Sequence, residues 1–352
     1  MPGHILPTVM PSPRLIDPLN VPSLRWGVMG PGGIADTWVG TVLKNTNQQI
    51  VAAGSTSAER AQSFADKFGL ARSYGSYDDL LADPEIDIVY IATRQHTHKD
   101  NVLQAIAAGK HVLVEKPIAT LAEDARIIRD AARASGLFVM EAMWTTYLPQ
   151  SDIIRQLVAD GVFGDIRLVQ ADLGQDLRDN PRLFDINGGG TSHDVGIYPT
   201  AFVSSFFAGE PLTISAIGDV TKDGVDSEIT IRTSYANGGN GYAFSSIKSF
   251  SHSMAWVDGT HASLKVAHPF PIPSSLTLYG REFNPEPVAH WHDETGIIGH
   301  QGLCYQALAV AHFIAQGLTE SPWRDLDQSV IDIETIAAAR HQIGAYYPGE
   351  SR

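Results

Sequence analysis

The 352-residue chain carries 25 Lys and Arg against 39 Asp and Glu, a net charge of −14 that argues against nucleic acid or an anionic membrane as its partner. An apolar content of 43% with 18% charged residues is that of an ordinary globular protein, and the length points to two domains. Cys304 is the only cysteine, so no intrachain disulfide can form, and a reducing, cytoplasmic setting fits.

Residues 1–22 are proline-rich without a continuous apolar stretch. They read as an extended arm, a candidate to lie on a neighbouring subunit, and not as a secretory signal. Nothing in the chain approaches the ~20 apolar residues that span a bilayer.

From residue 24 short apolar runs alternate with helical stretches. Strands are predicted at 24–29, 50–55, 87–93, 111–114 and 137–140, with helices at 34–44, 58–68, 77–82, 98–108 and 121–134. Gly109 and Gly136 stand where helix C-termini need them. This alternation means βαβ units with right-handed crossovers, hence a parallel sheet over a domain of residues 23–146. After Tyr147 the pattern changes. A helix at 153–159 is followed by period-two runs at 166–173, 212–220, 228–235, 241–250, 262–266 and 275–279, separated by Gly/Asn turns. Residues 147–352 are therefore expected to form an α+β domain on an open, mainly antiparallel sheet, closed by helices at 303–316 and 326–343.

Gly30-Pro31-Gly32-Gly33-Ile34-Ala35 follows a strand and opens a helix, the context in which a G-x-G-x-x-[GA] match means dinucleotide binding. Gly30 permits the tight turn; Gly32 and Gly33 let backbone N–H groups approach a pyrophosphate at the helix N-terminus. The adenosine ribose should meet the end of the second strand, where Ser55-Thr56-Ser57 stands in place of the acid usual for NAD. Hydroxyls there, with Arg60 one turn on, suit a 2′-phosphate, so NADP is favoured over NAD.

Two further stretches are dense in chemistry. In Glu115-Lys116-Pro117 an apolar strand ends in a carboxylate, an amine and a proline that stops the ladder, placing Lys116 outside a strand's carboxyl end. In Gly188-Gly189-Gly190-Thr191-Ser192-His193-Asp194-Val195-Gly196-Ile197-Tyr198-Pro199, a continuous helix would set Asp194 and Tyr198 at i and i+4 on one face, irregular near Pro199. A tyrosine needs a nearby cation to act near neutral pH, and Lys116 is a candidate. Trp144, just after a strand end, is a candidate pocket wall. The pairs His96/His98 and His290/His292 lack the accompanying ligands of a metal site, so no metal is expected.

In order and spacing these three motifs resemble the glucose–fructose oxidoreductase / inositol dehydrogenase family over about residues 24–348. Tyr90-Ile91-Ala92-Thr93 and Glu141-Ala142-Met143-Trp144 are similar to its dihydrodiol dehydrogenase and D-xylose dehydrogenase branch. The resemblance implies a Rossmann domain, a substrate domain, and a homodimer or homotetramer formed through the open sheet. It implies hydride transfer between NAD(P) and a secondary alcohol or ketone of a sugar, cyclitol or dihydrodiol. Lys116 would sit by the nicotinamide, Tyr198 would be the acid/base, and Asp194 would orient substrate or tyrosine. Cofactor contacts would then come from Gly30, Gly32, Gly33, Ile34, Ser55, Thr56, Arg60, Thr93, His98, Glu115 and Lys116, and substrate contacts from Lys116, Trp144, Asp194 and Tyr198. The sequence departs from the family at Arg94 (usually proline), at Thr56 and Thr146 (often arginine), and at Ser192-His193 (an apolar pair). Loss of the cation at Thr146 points to a small neutral polyol or sugar as substrate. A nicotinamide-retaining glycoside-cleaving enzyme and a non-catalytic cofactor sensor are the alternatives.

Overall fold

The computed structural model describes residues 5–283 and 285–351, which divide into two compact units. The first comprises Ile16–Tyr147 and Ile298–Val330; the second comprises the residues up to Leu15, Leu148–Ile297 and those from Ile331 on. The sequence suggests a single cut near residue 146, whereas residues 298–330 pack with the first unit. Part of the proline-rich arm is anchored on its own chain. The Arg14 guanidinium and backbone N–H donate to the Asp152 carboxylate at 2.9 and 2.7 Å.

In the first unit β1 (Arg25–Met29), β2 (Gln49–Gly54), β3 (Arg72–Tyr74), β4 (Ile88–Ile91), β5 (His111–Glu115) and β6 (Val139–Ala142) pair side by side. Among the described residues they form a six-stranded, all-parallel sheet in the order β3-β2-β1-β4-β5-β6. The order reverses between β1 and β4, and ligands of such sheets bind outside the carboxyl ends at that point. The helices are α1 (Gly33–Asn45), α2 (Ala58–Phe68), α3 (Tyr77–Ala82), α4 (His98–Ala107) and α5 (Ala122–Ser135). Local chemistry sets their ends: the Ser57 and Ser76 hydroxyls cap α2 and α3, and Gly69 and Gly136 close α2 and α5 at φ 66° and 69°. β4 is buried along its length, and Trp38 stacks on Tyr90 with ring centroids 4.1 Å apart. β3 escapes the sequence pattern because Arg-Ser-Tyr has no apolar signature.

The second unit begins with α6 (Pro149–Ala159) and β7 (Ile166–Gly174), then α7 (Thr191–Asp194) and α8 (Ile197–Ser204). The strands β8 (Thr213–Val220), β9 (Asp226–Ser234), β10 (Asn240–Ser246), β11 (Ala255–Gly259), β12 (Ser263–Val266), β13 (Ser275–Tyr279) and β14 (Pro287–His292) follow. Among the described residues, an eight-stranded sheet runs β14-β13-β12-β11-β7-β10-β9-β8. It is antiparallel except for β7 and β10, and α8 packs on those two strands. The run expected to reach residue 250 stops at Ser246, whose hydroxyl accepts from the backbone N–H groups of Lys248 and Ser249 and turns the chain. β14, unforeseen, is an edge strand opening on Pro287, the place where a strand tolerates proline.

Of the last helices, α9 (Cys304–Ala315) belongs to the first unit and buries Cys304. α10 (Leu326–Gln342) starts in the first and ends in the second. Among the described residues no helix is long and apolar enough to cross a membrane.

Candidate active site

The glycine loop lies at the carboxyl end of β1, beside the order reversal. Gly30 has φ +87°, and a Cβ there would come within 2.8 Å of the Thr93 methyl, so the turn itself demands glycine. Around Gly32 and Gly33 a Cβ would meet nothing within 4 Å. The chain's own packing therefore does not require these two glycines, and the space above them with the N-terminus of α1 suits a pyrophosphate. Ile34 sits in that first turn, exposed.

At the end of β2 the hydroxyls are already engaged. Ser55 Oγ accepts the Ser57 N–H at 3.2 Å, and Arg60 folds back so that Nη2 donates to Thr56 Oγ1 at 3.0 Å. Ser57 caps α2 and donates to Glu59 at 2.7 Å. That hydrogen bond holds the Glu59 carboxyl below its usual pKa. Glu59, an acid not considered with the strand end, lies in the first turn of the next helix and is tied back to that end through Ser57.

At the end of β5, Glu115 is buried and accepts the Tyr90 hydroxyl at 2.6 Å. Burial pushes its carboxyl up, against the Tyr90 hydrogen bond and the Lys116 charge, which favour the anion. Lys116 follows, half-buried, and the Lys116–Pro117 peptide is cis. The histidine expected to touch cofactor, His98, is buried. Its Nδ1 lies 2.9 Å from the Pro117 carbonyl and Nε2 lies 3.2 Å from the Thr93 carbonyl. Both ring nitrogens thus face the chain's own backbone, and the neutral ring that burial favours has one N–H to donate to one of these two carbonyls. Thr93 itself accepts from Asn101 Nδ2 at 2.7 Å. Trp144, just past β6, is 3% exposed and stacks on His300 at 5.7 Å.

In the second unit the helix through Asp194 and Tyr198, expected to be irregular near Pro199, is divided in two. α7 ends at Asp194 and α8 starts at Ile197, with Val195 and Gly196 between them still in the right-handed helical region, and Asp194 and Tyr198 are the two residues of 191–200 that are not fully buried. Pro199 explains the break: within a continuous helix its ring would strike the carbonyl of Val195. Restarting at Ile197 puts it in a first turn, where no N–H partner is needed. Asp194 accepts from Arg182 Nη2 at 2.6 Å, a partner twelve residues upstream that nothing in a single sequence links to it.

The preceding glycines serve the fold. Gly190, at φ +95°, lies where a Cβ would be 2.3 Å from Asp226 Oδ1, and a Cβ on Gly189 would approach the Leu183 and Asp185 carbonyls. Asp226 Oδ2 accepts the Ser192 N–H at 2.7 Å. Tyr347 donates to the Gly189 carbonyl and lies 2.9 Å from His193 Nδ1. One phenol proton cannot serve both, so His193 carries its hydrogen on Nδ1 and donates it to Tyr347. Arg340 stacks on the Tyr347 ring at 3.7 Å. Among the described residues no group of three or more His, Cys, Asp or Glu could hold a metal.

Residues 24–143 match the profile "Oxidoreductase family, NAD-binding Rossmann fold" (GFO/IDH/MocA), and residues 152–265 match "GFO/IDH/MocA C-terminal domain". Trans-1,2-dihydrobenzene-1,2-diol dehydrogenase of Mus musculus is 35% identical over 94% of this chain and all of its own length; the Homo sapiens enzyme is 33% identical over the same shares. Among solved structures, a levoglucosan dehydrogenase with NADH and levoglucosan superposes with TM-score 0.82 at 18% identity, covering 92% of this chain and 97% of its own. A 3-ketoreductase from Actinomadura kijaniata with NADP superposes at 0.77 with 22% identity, covering 91% and 98%. At such identities these two speak for the fold alone. With both domains matched in order, and dehydrogenases aligned nearly end to end, the chain belongs to the GFO/IDH/MocA family of oxidoreductases that bind a nicotinamide dinucleotide on a Rossmann fold.

Proposed function

We propose that the chain oxidises a secondary alcohol of a neutral sugar, cyclitol or dihydrodiol with NAD(P), or reduces the matching ketone. The observation that carries this reading is Lys116 at the carboxyl end of β5, next in the sheet to β4 and the order reversal. The near-full-length relatives named for a diol dehydrogenase support the substrate class. When bound, the nicotinamide supplies a hydride acceptor or, reduced, a donor.

Tyr198 takes the substrate's hydroxyl proton on its phenolic oxygen as the C–H bond of the same carbon breaks, and returns it in the reverse direction. A free phenol has a pKa of ~10, and Lys116 as an ammonium favours the phenolate. Asp194, held by Arg182, orients the substrate hydroxyl. Trp144, fixed against His300, offers an apolar wall. Gly30, Gly32, Gly33, Ile34, Ser55, Thr56, Arg60, Thr93, Glu115 and Lys116 hold the dinucleotide, while His98 acts through the carbonyls it faces. Thr146, in place of a cation, favours neutral substrates.

A homodimer or homotetramer through the eight-stranded sheet is supported by Leu212 and Ile217, exposed in and beside edge strand β8. A cytoplasmic setting is supported by the lone, buried Cys304.

The test is a panel of trans-1,2-dihydrobenzene-1,2-diol, D-xylose, myo-inositol and levoglucosan with NADP and NAD, followed at the reduced-nicotinamide absorbance. Net reduction supports a dehydrogenase; product without net reduction would move the reading to hydride recycling within each turnover. Tyr198→Phe should lower turnover about 10²–10⁴-fold and leave cofactor affinity nearly intact. Full turnover in that variant would sink the assignment.

A further inference from the structure

In the first unit, the backbone that follows Lys116 is held by two buried ionisable side chains. The Pro117 carbonyl faces His98 Nδ1 at 2.9 Å, and the Ile118 N–H donates to Glu141 Oε1 at 2.9 Å. The other oxygen of the same carboxylate accepts from Arg324 Nε at 3.1 Å, Arg324 Nη2 at 2.9 Å and Ser329 Oγ at 2.7 Å. The side chains of Glu141 and Arg324 are 1% and 4% exposed, so water neither screens these bonds nor replaces them.

Charge balance alone does not account for this arrangement. A buried ion pair is often no more stable than well-packed apolar residues in its place. Here one carboxylate oxygen is given to Arg324 and Ser329 and the other to a single main-chain N–H, two residues beyond Lys116. The lysine side chain is a flexible four-carbon stem, so its reach is set by where the backbone starts it.

We propose that Glu141, anchored by Arg324 and Ser329, is a positioning residue for Lys116: it fixes the peptide at Ile118 and thereby aims the amine. The inference rests on the reading of Lys116 as the cation of the reaction. Glutamine at 141 has one acceptor oxygen, which cannot serve Ile118 at one end and the Arg324–Ser329 pair at the other. A misplacement near 1 Å can cost on the order of 10²-fold, so Glu141→Gln should lower kcat about 10- to 100-fold. The KM for cofactor should stay within about twofold of wild type, since the glycine loop is untouched.

The deciding experiment is a double-mutant cycle on the full chain with Glu141→Gln, Lys116→Ala and both, measured on the panel alcohol that wild type turns over fastest. Acting through Lys116, Glu141→Gln should cost nothing further once Lys116 is alanine. An equal fold-loss of kcat in both backgrounds, or none in either, overturns the positioning role while the Lys116 reading stands. Normal turnover in Lys116→Ala overturns that reading and this inference together, as does a wild type that reduces no nicotinamide on any panel alcohol. If Glu141→Gln does not fold, Ser329→Ala takes its place in the cycle. It removes one donor and leaves the carboxylate, so a severalfold loss is expected in the native background and none with Lys116→Ala. Any other pattern counts against the proposal.

Discussion

Thr56, Arg60 and Glu59 pull cofactor choice in opposite directions. On the proposed cofactor site, Arg60, folded onto Thr56, is the guanidinium that would meet a 2′-phosphate, while the Glu59 carboxylate, bonded by Ser57 in the same turn, would repel it. The net preference for NADP should therefore be modest, on the order of 1–2 kcal/mol, or about 5- to 30-fold in kcat/KM. Arg60→Ala should weaken NADP more than NAD, Thr56→Asp should move preference to NAD, and Glu59→Gln should strengthen NADP. Strong native NAD preference, unmoved by Arg60→Ala, would refute this. At Gly190 the issue is space: alanine there would keep φ +95° and drive its methyl into Asp226. Gly190→Ala should cost about 2–4 kcal/mol, read as a lowered urea midpoint. The glycine loop and the lysine after β5 were legible in the sequence because each is a local run whose neighbours define it. Arg182, Glu141, Arg324 and Ser329 were not, since each acts on a residue brought near only by folding; Ser329 and Glu141 are 188 positions apart.

Among the elements, β5 should contribute a pH dependence to stability. His111 opens it, and its Nδ1 accepts the Phe138 N–H at 2.9 Å, so the ring is bonded in its neutral form. Burial lowers the His111 pKa from its ordinary value, with Asp87 opposing. The unfolded chain takes up this proton near pH 6.5 and the folded chain resists it until lower pH. Stability from this group is thus complete above that value and falls as pH drops through the window below it. Urea midpoints between pH 7.5 and 5.5 should decline in wild type and decline less in His111→Gln; parallel curves would exclude the role. The alternation of strand and helix up to residue 142 could be read in advance because buried parallel strands such as β4 are continuous apolar runs. β3 and β14 could not, being short or edge strands whose side chains are only partly buried. The α7–α8 break turned on one steric contact, the Pro199 ring against the turn before it.

Over the whole molecule, each unit is closed by residues remote in sequence: α9 completes the first, and Tyr347, through Gly189 and His193, holds the loop of the second. Cys304 sits in α9 at 2% exposure, and burial pushes its thiol up to about 11. The thiolate is the nucleophile, so in the folded protein this sulfur is both covered and protonated. A chain with a single thiol of this kind carries its own unfolding clock. A disulfide reagent such as dithiobis(nitrobenzoate) should react only as α9 opens, at a rate that becomes independent of reagent concentration once labelling outpaces reclosing. Saturating NADP should slow that clock by mass action, which would make cofactor binding measurable without any knowledge of the substrate. Prompt stoichiometric labelling of the native protein would show that α9 is not closed in solution.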